Sequence, residues 1–118
     1  MRKIMLAVVV VGSSLISARA APVNPQYDDY PVQCGAIYFL YWKGYLSENQ
    51  PTMAEAYRRK HESLAGKAAL NLEARGLSKH EADAYMQEHI DGLADIAAKD
   101  TKAFVDFKRL CDGKFPQL

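Results

Sequence analysis

The sequence predicts an all-α protein, an antiparallel up-down four-helix bundle with one disulfide, preceded by an extended N-terminal arm that follows a signal peptide. Three observations carry this expectation. Apolar residues recur at helical spacing in four successive stretches after position 31. No alternation of apolar and polar residues persists beyond a few positions, and β-branched residues are scarce once the first twenty residues are passed. Cys34 opens the first stretch and Cys111 closes the fourth. Those two positions share one pole when short connections make successive helices antiparallel.

The chain opens with Met1-Arg2-Lys3, continues with the apolar run Ile4–Val11, and reaches the triplet Ala18-Arg19-Ala20. A basic start, a short apolar stretch and small residues three and one positions before a cut are the marks of a cleavable secretory signal, here residues 1–20 with cleavage before Ala21. The apolar run is shorter than the roughly 20 residues that span a bilayer. No later segment reaches that length either, so the mature chain is expected to have no transmembrane segment. Residues 21–31 contain three prolines and read as an extended arm, because proline fixes φ and drives the residue before it out of the helical region. Within it, Tyr27 and Tyr30 could dock on the body or on a partner, although a loose terminus is the simpler expectation. Residues 32–118 form the helical domain.

The first helix is expected over Val32–Leu46, with Cys34, Ile37, Tyr38, Tyr41 and Tyr45 on its inner stripe. The second runs over Thr52–Arg75, with Thr52 and Glu55 as a capping box, a stripe of Met53, Tyr57, His61, Leu64, Ala68 and Leu72, and Gly76 as its stop. The third spans Lys79–Ala98 behind a second capping box, Ser78 with Glu81. Its stripe is Ala82, Tyr85, Met86, His89, Ile90, Leu93, Ile96 and Ala97. The fourth runs from Thr101 to Cys111, capped by Asp100 or Thr101, with Phe104, Phe107, Leu110 and Cys111 inward and Asp112-Gly113 ending it.

Charge and motifs narrow the function. The signal holds Arg2, Lys3 and Arg19 and no acid, so the mature chain keeps 12 basic and 14 acidic residues, a net charge of −2. Nucleic acid as a partner calls for a basic face and is not expected. The sequence contains no G-x-S-x-G, no Gly-rich phosphate loop, no H-E-x-x-H and no C-x-x-C-H. A cysteine pair in an exported chain reads as a structural bridge, which leaves no thiol for nucleophilic chemistry. No cofactor is expected.

Two sets of residues remain as candidate sites. Tyr38, Phe39, Tyr41, Trp42 and Tyr45 crowd two turns of the first helix, which is apolar almost all round. Either the other helices wrap it, or Phe39, Trp42 and Tyr45 leave a patch that contacts a protein or a small apolar ligand. His61 and His89 both fall on inner stripes, where they could sense pH or share a metal ion, although no two of His61, His80 and His89 have the i, i+4 spacing of helix-borne ligands. The acidic residues Glu81, Glu88, Asp91 and Asp95 read as a solvated face. The sequence therefore suggests a non-enzymatic exported binding protein of the bacterial envelope, periplasmic or secreted, that works through its first helix. Alternatives are a pH-responsive acid-stress chaperone of the periplasm, for which size and export match but no motif aligns, and a small metal-binding protein using His61 and His89.

Overall fold

A computed structural model describes residues 29–118. The signal segment 1–20 and the arm residues 21–28, Tyr27 included, lie outside the described residues. Those described form four helices and no strand: α1 (Tyr30–Ser47), α2 (Pro51–Glu73), α3 (Lys79–Lys99) and α4 (Thr101–Lys114).

The start of α1 corrects the boundary of the arm. Asp29 is the N-cap and Tyr30-Pro31 already belong to the helix. Proline is accommodated there because the first-turn N–H groups have no helical partner to lose. Tyr30 is thereby half-buried against the core, with the Lys114 ammonium 4.2 Å from its ring centre. The start of α2 is a second correction. Gln50 occupies the N-cap without a side-chain capping bond and Pro51 opens the helix, so Thr52 caps nothing. Glu55 instead accepts from Arg58 Nε at 2.8 Å. Met53 is 40 % exposed and Ala54 takes the buried position expected of it.

The local signals at the end of α2, the start of α3 and the start of α4 work as anticipated. Leu77 N–H bonds to Leu72 C=O and Gly76 N–H to Glu73 C=O, with Gly76 at φ +99°. This is the Schellman closure, and Leu77 packs on Leu72 as that motif favours. Ser78 and Glu81 form the reciprocal capping box. Asp100 closes α3 and caps α4 by accepting from Ala103 N–H. The last helix runs on to Lys114, so Asp112 and Gly113 lie inside it rather than ending it.

α1 is the hub and packs against each of the other three helices. Along α2, Tyr45 and Tyr38 meet Tyr57, Phe39 meets His61, and Val32 packs with Ala68 and Leu72. At Gly35 α1 packs tightly: a Cβ there would lie 3.0 Å from Met86 Cε of α3, 3.4 Å from Leu64 Cβ and 3.7 Å from Ala65 N of α2. On α3, Tyr85 reaches back to Asp29, its hydroxyl donating to the carboxylate at 2.7 Å. On α4, Cys111 bonds Cys34 and Phe104 stacks on Tyr41.

The core has two parts. Cys34, Ile37, Tyr38, Tyr57, Leu64 and Cys111 form one, and Val32, Ala68, Leu72 and Ala82 the other. Fully burying a side chain such as Ile37 or Leu64 contributes about 1.5–3 kcal/mol. α4 adds little to either part, since Cys111 is its single buried residue. The disulfide, with Cα atoms 5.5 Å apart and both cysteines inaccessible, fastens α4 to α1 beside the partly buried Phe104 and Phe107. No helix among the described residues is long and apolar enough to cross a membrane.

Candidate functional site

The aromatic residues of α1 separate into an inner and an outer group. Pro31 to Tyr38 is buried on every side except at Gln33, whereas the half of the helix beyond Tyr38 is only partly covered. The other helices thus wrap the first half of α1, and in the second half Phe39 and Trp42 stay partly accessible.

The inner group is consumed by packing. Tyr38 is wholly inaccessible, so it offers nothing to a partner. Tyr41 lies parallel to Phe104 with ring centres 5.5 Å apart, and Tyr45 stacks on Tyr57 at 5.6 Å. A polar knot closes this layer. Tyr38 donates to Asp112 Oδ1 at 2.7 Å, and Lys108 Nζ donates to Asp112 Oδ2 at 2.8 Å while sitting 5.3 Å from the ring centres of both Tyr41 and Tyr57.

Burial pushes the Tyr38 hydroxyl far above the ordinary phenol range, and its bond to Asp112 reinforces that. Burial alone would raise the Asp112 carboxyl, but the bonds from Lys108 and Tyr38 outweigh it and hold the group below the usual carboxylate range. Burial would likewise lower the Lys108 ammonium, and its bonds to Asp112 and Tyr57 reverse the sign. The stability owed to Asp112 is therefore present above the carboxylate's unfolded pKa and is lost as pH falls through its depressed folded value. That owed to Lys108 is present below the ordinary lysine range and is lost as pH rises through its elevated folded value.

The outer group is Phe39 and Trp42, both half-buried. Their rings meet edge to face with centres 5.4 Å apart. His61 of α2 lies 5.2 Å from Phe39 and 5.9 Å from Trp42. The exposed Lys43 places its ammonium 4.5 Å from the Trp42 ring centre and 5.6 Å from that of Phe39. His61 is held by a 2.8 Å bond from Nδ1 to the Gly35 carbonyl. The carbonyl can only accept, so Nδ1 carries the proton and Nε2 of the neutral ring is left as an acceptor. Leu46, one turn beyond Trp42, is 48 % exposed. This corner offers two aromatic rings, a cation and an apolar rim.

Grooves flank α4 on both sides. Leu40, Tyr41, Gly44 and Tyr45 of α1 face Phe104 and Val105 across a space of about 330 Å³. Between α3 and α4, a mostly apolar space of about 420 Å³ is lined by His89, Gly92, Leu93 and Ile96 on one side and Ala103 and Phe107 on the other, with Gln33 and Glu88 at its edge. Both sizes fall within the range of small-molecule sites, at its lower end.

His89 packs edge to face on Tyr85 at 4.9 Å and lines this second groove, whereas the ring contacts of His61 are with Phe39 and Trp42. Among the described residues no group of three or more His, Cys, Asp or Glu side chains is placed to hold a metal ion.

Sequence reasoning missed Tyr57, Lys108 and Asp112 as parts of the aromatic layer. The register of the disulfide could have found the Tyr41–Phe104 stack on which they pack: Phe104 lies two turns before Cys111, Tyr41 two turns after Cys34, and antiparallel neighbours then meet. No protein-family model, no curated protein and no solved structure matches this chain.

Proposed function

We propose that the protein is a small, exported, non-enzymatic binding protein that works in an oxidising compartment, the periplasm or the exterior, after removal of residues 1–20. The order of contacts from α1 to α2, α3 and α4 supports an antiparallel up-down bundle, and a fully buried disulfide suits such a compartment. The partner surface is the outer aromatic corner of α1, Phe39 and Trp42, with Tyr45 at its edge.

The observation that carries this reading is the Phe39–Trp42 pair. Two large rings remain partly accessible and pack against Lys43 and His61, although the core lies within one turn of them. Rigid aromatic anchors of this kind dominate protein contacts at low entropic cost. Replacing both Phe39 and Trp42 by alanine should weaken capture of envelope partners by at least tenfold, since anchors of this type carry about 2 kcal/mol or more each. Quantitative mass spectrometry of pull-downs from the native envelope, with wild type and variant matched for helicity, gives the measurement. Equal recovery of every captured protein would sink the proposal.

A second reading, an acid-responsive chaperone, is favoured by the Asp112 knot. Acid would protonate Asp112, break its ion pair with Lys108 and loosen α4 at that knot. Melting temperature should fall as pH drops below about 4, where ordinary carboxylates titrate. Asp112→Asn should flatten that acid limb while lowering stability at pH 7. An acid limb of the same depth in both proteins would remove the reading.

A further inference from the structure

We propose that the groove between α3 and α4 is a second binding site, and that it takes a small apolar molecule ending in an ammonium group, a primary alkylamine. Its lining includes none of Phe39, Trp42 and Tyr45, so it stands apart from the partner surface proposed above.

Two stripes of residues build the groove. On α3, Glu88, Gly92 and Ile96 are spaced four apart with His89 and Leu93 beside them, so they share one face about 12 Å long. On α4, Ala103 and Phe107 repeat that spacing and line the other side. Gly92 has nothing within 4 Å of where a Cβ would stand, and Ala103 stops at a methyl, so the two helices leave space between them. That space is about 420 Å³, enough for a small organic molecule. Ile96 is 40 % exposed, and Leu93 and Phe107 are half-buried. A hydrocarbon tail laid over them removes further apolar surface from water.

Polar groups gather at one end. Asp100 both closes α3 and caps α4, so Ile96 and Ala103 lie beside the connection and Glu88 lies at the opposite end. Gln33 is brought to that same end by its neighbour Cys34, which is bonded to Cys111 far along α4. It is the single residue from Pro31 to Tyr38 that is not buried. Among the described residues, neither the Gln33 side-chain amide nor the Glu88 carboxylate has a hydrogen bond or an ion pair. No lysine or arginine lines the groove. Lys99 and Lys102, which flank it in sequence, pair with Asp95 at 3.1 Å and Asp106 at 2.7 Å, and Lys114 lies over the Tyr30 ring. His89, the other titratable group of the lining, packs edge to face on Tyr85. An ammonium brings three donors to the acceptors of Glu88 and Gln33, whereas a carboxylate head would meet the like charge of Glu88.

The test is an NMR titration of the purified protein at pH 7 with three probes of equal tail and different head: n-hexylamine, protonated at that pH, 1-hexanol and hexanoate. Hexylammonium should shift the methyls of Leu93, Ile96 and Ala103 and the ring of Phe107. It should bind about two- to fivefold more tightly than hexanol, the range of one exposed ion pair, with hexanoate the weakest of the three. Glu88→Gln should erase the preference for the amine. Ala103→Leu, at an exposed helical position, should fill the groove and abolish the shifts. Leu70, 70 % exposed and outside the groove, reports unspecific adhesion. Shifts at Leu70 as large as those in the groove would overturn the proposal, as would no binding, equal binding of amine and alcohol, or an amine preference that survives Glu88→Gln. The three-probe comparison on the unsubstituted protein decides the matter even where a variant fails to fold.

Discussion

Replacing Cys34 and Cys111 together by alanine should remove about 4 kcal/mol of stability and leave α4 without a fixed seat. The cross-link spans 77 residues of sequence, and a loop of that size confines the unfolded chain by about 4–5 kcal/mol at 25 °C in the loop-closure treatment. Small domains are stable by about 5–15 kcal/mol in all, so this is a large share. The loss is localised by the way α4 is held. Cys111 is its one buried residue, Phe104 and Phe107 are half-covered, and grooves of about 330 and 420 Å³ open on its two flanks. The melting temperature of the double variant should fall by roughly 15–30 °C, taking about 4–8 °C for each kcal/mol in a domain of this size. Amide exchange should accelerate first over Thr101–Lys114 and only later in α1 and α2. Urea unfolding of wild type, variant and reduced wild type gives the energies. A loss below about 1 kcal/mol would show that packing alone holds α4, against the weight the loop-closure argument assigns to the bridge.

The parts of this fold that were legible beforehand are those whose causes are local. The Ser78–Glu81 box and the Gly76 closure depend on a few consecutive residues, and both form as the sequence implies. Thr52 failed as a cap for an equally local reason. Pro51 is better suited to the first helical position, which moves the cap back to Gln50 and releases Glu55 to Arg58. The cross-link was legible because two cysteines at the ends of four helices leave one geometric solution. Its consequences were less so: pairing Cys34 with Cys111 implies that Tyr41 meets Phe104, but only side-chain geometry shows Lys108 turning back to Asp112 beneath them.

The division of α1 into a covered half and an open half could not be read at all from an all-round apolar helix. It depends on α2 and the Met86 side chain of α3 closing on α1 at Gly35, and on α4 reaching the other half through the half-buried Phe104. The grooves arise from the same sparse contact of α4. Their existence is a matter of helix separation, and periodicity carries no information on that.

The close approach at Gly35 makes Leu64 the most sensitive position in the aliphatic core. Leu64 is inaccessible to solvent, and its Cβ sits 3.4 Å from where a Gly35 Cβ would be. Leu64→Ala should cost about 3 kcal/mol, within the 2–5 kcal/mol typical of buried leucines. α1 lies close to α2 at this level, with Ala65 N 3.7 Å from where a Gly35 Cβ would stand, so the space left by Leu64 closes only in part. Leu70, two turns away on the same helix, is 70 % exposed and supplies the control. Leu70→Ala should change stability by less than about 0.5 kcal/mol, because alanine sacrifices no burial there and is the better helix former. Paired urea titrations of the two variants decide the matter. Equal losses at the two sites would mean that the α1–α2 contact is not centred on Gly35. In that case the outer aromatic corner at Phe39 and Trp42, one and two turns along α1 from that glycine, would no longer have a rigid base from which to meet a partner.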